Sequence, residues 1–132
     1  MTKELLWLTY TVILTGILWV PYILDRAMVR GLVGSMANPS PTLAPQSAWA
    51  MRLQAAHYNT VENLAVFAPL VLILNLIHVS TASTVLACAM FFWARLVYVI
   101  VYALGIPGLR TVAFVVGFIA QAMLATAILG AM

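Results

Sequence analysis

The chain is poor in charge, with six Lys or Arg and three Asp or Glu among 132 residues, or 7% of the whole. Ordinary globular domains carry roughly 25%. A surface this short of polar side chains cannot be wetted, so a soluble globular fold is excluded and apolar faces must meet lipid or copies of the chain. The formal charge of +3 rests on nine scattered side chains and gives no reason to expect nucleic acid as a partner. A single cysteine, Cys88, rules out an intrachain disulfide. It sits in an apolar run and reads as a small packing residue rather than a reactive thiol. No Cys/His cluster has metal-ligand spacing and no glycine-rich phosphate loop occurs, so neither a metal centre nor a nucleotide site is expected.

Apolar sequence is abundant, at 65% of residues with a mean hydropathy of +1.09. Four stretches are long enough to cross a bilayer, which takes about 20 apolar residues each. The first runs from Leu5 to Leu24 and is kinked in its last turn by Pro21. It is too long for the apolar part of a signal peptide, and Asp25-Arg26 follows it without a small-residue cleavage pattern. Residues 31–47 shift to Gly, Ser, Asn and Pro, with Pro39, Pro41 and Pro45 preventing a regular helix, and form the one long loop. The second span is expected over 48–77 with Ser47 as its N-cap. Its uninterrupted apolar part, Leu64 to Leu74, is too short to cross alone, so Asn59, Glu62 and Asn63 are carried into or near the membrane. The third span is 82–104, ended by Gly105 and Pro107, and the fourth is 109–131. The pattern predicts one domain over 1–132, an all-α integral membrane four-helix bundle. The first and third connections hold Arg26, Arg30, Arg52 and Arg110, while the second holds no Lys or Arg. By the positive-inside rule the arginines face the cytoplasm and both termini lie on the non-cytoplasmic side.

At 100° per residue, Arg52, Asn59 and Asn63 fall within a stripe of about 40° on the second helix, flanked by Glu62 at about 80°. His57 points roughly 140° from Arg52 and stands outside this face. On the third helix, Arg95, Tyr98 and Tyr102 share an arc of about 60°. Two polar faces at matching depth predict a pocket between the helices, closed at its mouth by Arg110 and by Arg26 or Arg30. Arginines for carboxylates and Glu62 for an ammonium group suit an anionic ligand that also bears an amine. The same residues allow a plainer account. Glu62 with Arg52 or Arg95 is then a buried ion pair, Asn59 and Asn63 are interhelical glue, Tyr98 and Tyr102 are interfacial, and Arg26 and Arg30 anchor topology.

The segments RLQAAHYNTVENLAVFAPL, Arg52 to Leu70, and ARLVYVIVYALGIPGLR, Ala94 to Arg110, resemble the MAPEG family, the membrane-associated proteins in eicosanoid and glutathione metabolism. The first resembles the family's Ala-His-x-Asn-x-x-Glu-Asn pattern with a following proline, here Ala56, His57, Asn59, Glu62, Asn63 and Pro69. The second resembles Ala-Arg-x-x-Tyr-x-x-x-Tyr with an arginine opening the fourth helix. The resemblance implies a homotrimer with glutathione held between subunits near the cytosolic face. It implies that Asn59, Glu62, Tyr98, Tyr102 and Arg110 bind glutathione and that Arg110 stabilises its thiolate, with Arg52, Arg95, Arg26 and Arg30 as further cofactor-binding candidates.

The activity so implied is a glutathione-dependent transferase or peroxidase acting on lipophilic small-molecule electrophiles, and the short loops suggest a bacterial inner membrane. The chain departs from the family where glutathione users usually place an arginine, four residues before Asn59, and has Ala55 there. That departure keeps open a catalytically silent member that binds lipid or a partner protein. A small proton-coupled transporter is the third alternative, although exporters of this size place their carboxylate in the first span, and Leu5 to Leu24 has none.

Overall fold

The computed structural model describes residues 1–132, all of whose regular structure is helical. Helices α1 (Lys3–Ile17) and α2 (Trp19–Met36) run end to end, followed by α3 (Ala48–Leu76), α4 (Ala82–Leu104) and α5 (Pro107–Leu129). The α1–α2 rod, α3, α4 and α5 are the four helices long and apolar enough to cross a membrane. The break at Leu18 has a local cause. Pro21 offers no N–H to the carbonyl of Ile17, and its ring crowds that turn.

The first span continues through α2 past Leu24 to Met36, further than the composition shift at Gly31 suggested. Gly31 does interrupt it, at φ 71°, a left-handed conformation that costs glycine little. One more turn then forms before the proline-rich loop. That loop is fastened to α2 by side chains. Asp25 accepts from the Ser47 backbone N–H at 3.0 Å and from the Ser47 hydroxyl, and Gln46 Nε2 donates to the Tyr22 carbonyl at 2.7 Å. Ser47 precedes α3 as expected, but its hydroxyl serves Asp25 instead of capping the helix.

Side-chain bonds define the two ends of the bundle. At one end Glu4, only 2% exposed, accepts from the hydroxyls of Ser80 at 2.8 Å and Thr84 at 2.6 Å, tying the start of α1 to the α3–α4 connection. Thr81 and Thr84 form a reciprocal capping box that starts α4. Glu4 escaped the sequence reading because it stands one residue before the apolar run that begins at Leu5. Hydrogen bonds to a charged group contribute about 1.5–3 kcal/mol, and an amide nitrogen cannot accept from a hydroxyl. Glu4→Gln is therefore expected to lower stability by about 1.5 kcal/mol. Thermal unfolding in detergent checks this, and an unchanged melting temperature would show the clamp to be energetically idle.

At the other end, Arg52 Nε donates to the Ala103 carbonyl at 3.0 Å and its guanidinium lies against Gly105. Arg52 thus satisfies the carboxyl end of α4, where a cation also meets the favourable end of the helix dipole. Gly105 holds φ 80°, and a Cβ there would stand 3.3 Å from Arg52 Cζ, so the tight Gly-Ile-Pro-Gly turn depends on a residue without a side chain.

Between these ends the interior is layered. One apolar cluster holds Phe67, Val71 and Leu74 of α3, Ala87, Cys88 and Phe91 of α4, and Ala120 and Leu124 of α5. Phe67 and Phe91 stack there with centroids 3.9 Å apart. A second cluster holds Leu18 and Tyr22, Ala50, Leu53 and Ala56, Tyr98 and Val99, and Ala113. Polar side chains fall between the two clusters on α3 and α4, and on α5 one stands at the edge of the first cluster, next to Ala120. Those are Asn59 and Asn63, Arg95 and Gln121. Large apolar side chains such as Ile13, Leu72, Trp93 and Phe118 face outward, as a lipid-facing surface requires.

Candidate functional site

Arg95 is the centre of the polar layer and is completely buried. Its Nη1 donates to Asn59 Oδ1 at 3.0 Å, while Nε and Nη2 have no hydrogen-bond partner. Aromatic faces take the place of those bonds. The Arg95 Cζ lies 4.6 Å from the Tyr98 ring centroid, 5.5 Å from Phe114 and 5.7 Å from Phe91. The electron-rich faces attract a desolvated guanidinium, most strongly where water is excluded. Gly117 makes room for it, because a Cβ there would be 3.0 Å from Nη2.

Asn63 Nδ2 donates to the Asn59 carbonyl at 2.8 Å and to Asn59 Oδ1 at 3.2 Å, and Gln121 Nε2 donates to the Asn63 carbonyl at 3.1 Å. Unpaired polar groups are costly in a membrane interior, and this chain of bonds from α4 through α3 to α5 limits that cost. No carboxylate takes part. The pairing of Glu62 with Arg52 or Arg95 that the plainer account allowed does not form: Arg52 bonds the Ala103 carbonyl and Arg95 bonds Asn59.

Beside this layer lies a cavity of about 220 Å³ lined by Asn59, Tyr98, Arg110, Thr111 and Phe114. Three residues singled out in the sequence, separated by up to 51 positions, therefore meet from three helices. Arg110 projects from the first turns of α5 and rests on Tyr102, with its Cζ 4.4 Å from the ring centroid. The amino end of α5 adds its own partial positive charge nearby. Arg110 is the one charged group lining the cavity, none carries negative charge, and the hydroxyls of Tyr98 and Thr111 can accept, Thr111 already donating to the Pro107 carbonyl at 3.3 Å.

The other candidates stand elsewhere. Glu62 is exposed, one turn along α3 from Asn59. Arg26 and Arg30 donate to Gln46 Oε1 at 3.3 Å and to the Ala44 carbonyl at 2.7 Å, and they line a separate depression of about 440 Å³ against the loop. Arg52 is committed to the end of α4. His57, set off the polar face by its helical angle, hydrogen-bonds Tyr22 OH through Nδ1 at 2.8 Å and joins α2 to α3. Gln121, Gly117 and Phe114 were missed by sequence reasoning. A lone amide in the fourth apolar span was a usable signal for Gln121, but nothing local marked the other two.

A bundle of four helices long and apolar enough to cross a membrane, with a polar cavity between them, defines a multi-pass membrane protein. The chain belongs to the MAPEG family, whose model matches residues 5–130 of 132. No curated protein and no solved structure shows a significant match.

Proposed function

We propose that the protein is a glutathione-dependent transferase or peroxidase acting on lipophilic electrophiles that reach it through the bilayer. The observation that carries this reading is the meeting of Asn59, Tyr98 and Arg110 around one cavity, together with the family. A cation beside a thiol favours the thiolate and lowers its pKa from about 8.5, which raises the nucleophile's concentration near neutral pH. In this reading Arg110 supplies the cation, Tyr98 and Tyr102 supply hydroxyls, and Arg95 supports the wall. The attacking sulfur comes from glutathione, so Cys88, buried in the apolar core, has no part. The cavity takes the thiol-bearing part of the tripeptide, and exposed Glu62 is free to meet its ammonium group. In a homotrimer glutathione would lie between adjacent subunits, with Arg26 or Arg30 at the mouth. The arginine-bearing end faces the cytoplasm, both termini face away from it, and the membrane is a bacterial inner membrane.

A second reading, a silent member that binds lipid or a partner protein, is favoured by one observation. Ala55 stands where an arginine is usual, and Arg52, one turn earlier, bonds the end of α4 and does not line the cavity. Calorimetric titration of glutathione into the detergent-purified protein separates the two, alongside turnover with an electrophilic aromatic substrate. Saturable binding and conjugation are expected. Absence of both would leave the silent reading standing.

A further inference from the structure

The geometry points to Arg95 as a positioning residue that fixes the side-chain amide of Asn59 with its NH2 group toward the cavity, where it donates to an anionic ligand. This rests on the proposed reading only for the identity of the anion. Arginine has no acceptor, so the Asn59 atom 3.0 Å from Arg95 Nη1 must be the oxygen. The same oxygen also accepts from Asn63 Nδ2 at 3.2 Å. With Oδ1 held by two donors, the amide cannot turn over. Its NH2 group is the end left over. That nitrogen has no partner within the chain, and it is not among the fully buried unpartnered atoms, which are Arg95 Nε and Nη2 alone. It therefore keeps access to open space, and the space that Asn59 borders is the cavity it shares with Tyr98, Arg110 and Thr111.

The consequence is chemical. A neutral amide can present either an acceptor or a donor, and an oxygen turned into the cavity would repel an anion held by Arg110. Here the buried guanidinium fixes the choice as donor, which with Arg110 selects an acceptor that carries negative charge. Arg95 is a positioning residue. It is enclosed by Phe91, Tyr98, Phe114 and Gly117 and reaches the ligand only through Asn59.

Asn59→Asp tests this because it separates binding from stability. The aspartate keeps an oxygen toward Arg95 and gives that buried cation a counter-charge, so the melting temperature in detergent should hold or rise. Toward the cavity it replaces a donor with an acceptor, and anion affinity should fall about tenfold or more. The probes are glutathione and sodium thiocyanate, a small soft anion, each followed by calorimetry and by the NMR signal of the Asn59 side-chain amide. That signal is assigned by its loss in Asn59→Asp. In the wild type it is expected to move with both probes. Arg95→Met should abolish the movement, and Arg95→Lys, which still offers Oδ1 a donor, should restore it in part. A fold-only role for Arg95 would not produce that rescue. Movement with thiocyanate alone supports the anion cavity and overturns the glutathione reading. Movement with neither probe, or affinity in Asn59→Asp within twofold of wild type, overturns the inference itself.

Discussion

Arg110→Ala is expected to reduce turnover of glutathione with an electrophilic aromatic substrate by about 100-fold, the scale seen when one group that stabilises developing or resident negative charge is removed. The guanidinium sits at the cavity, over the Tyr102 ring with its Cζ 4.4 Å from the centroid, near the positive end of α5. Both features favour an anionic sulfur there. Removing the charge leaves the amide of Asn59 and the hydroxyl of Tyr98, so glutathione affinity should change less than the rate. The pH dependence gives a second readout. Because a neighbouring cation stabilises the thiolate, the bound thiol in the wild type ionises at lower pH, and activity should reach its plateau earlier as pH rises. In Arg110→Ala the rising limb moves to higher pH. Arg110→Lys keeps the charge but loses the forked guanidinium over the Tyr102 ring, and an intermediate rate is expected. Steady-state kinetics across pH decides the matter. A variant with kcat within threefold of wild type and an unshifted limb would remove Arg110 from the chemistry.

The second large effect is structural. Gly117→Leu is expected to destabilise the bundle by about 3 kcal/mol, the upper range for overpacking a well-filled interior. A Cβ at Gly117 would already stand 3.0 Å from Arg95 Nη2 and 3.4 Å from Nε. The guanidinium has nowhere to retreat, since it is wholly buried among three aromatic rings and bonded to Asn59. Alanine makes a useful contrast. Its gain in helix propensity over glycine, about 1 kcal/mol, offsets a shift of a few tenths of an ångström, so Gly117→Ala should lie near wild type. Leucine adds three further carbons with no compensation. It should also displace the Asn59 amide, so anion binding falls along with stability. Thermal unfolding of both variants in detergent is the measurement, and a leucine variant that melts with the wild type would mean that Arg95 is loosely held.

Much of the architecture was legible in one dimension. Four long apolar runs, a proline-rich interruption and a scarcity of charge are enough to demand membrane helices, because a bilayer tolerates few other ways of satisfying the backbone. Helical periodicity was enough to place Asn59 and Asn63 on one face and Arg95, Tyr98 and Tyr102 on another, because 100° per residue is a property of the backbone and not of its surroundings. Asn59, Tyr98 and Arg110 stand on those faces and at the start of the fourth span, and the structure brings them to one cavity.

What periodicity could not decide was the partner of each polar group. A helical angle gives the direction of a side chain relative to its own axis, whereas its partner depends on the rotation and depth of the neighbouring helix. Glu62 lies about 80° from the Asn59 stripe, and that modest offset is the difference between a buried ion pair and an exposed carboxylate. Arg52 shares the stripe with Asn59, yet it is two turns nearer the helix start and finds the end of α4 instead. The sequence by itself determined that polar side chains enter the membrane and on which helix faces they stand. Only the tertiary structure decided that Arg95 is boxed by rings and Gly117, that Asn59 is locked by its oxygen, and that Glu4 closes the far end. Those outcomes depend on distances across helices, and a chain of residues carries angles along one helix but no distance to the next.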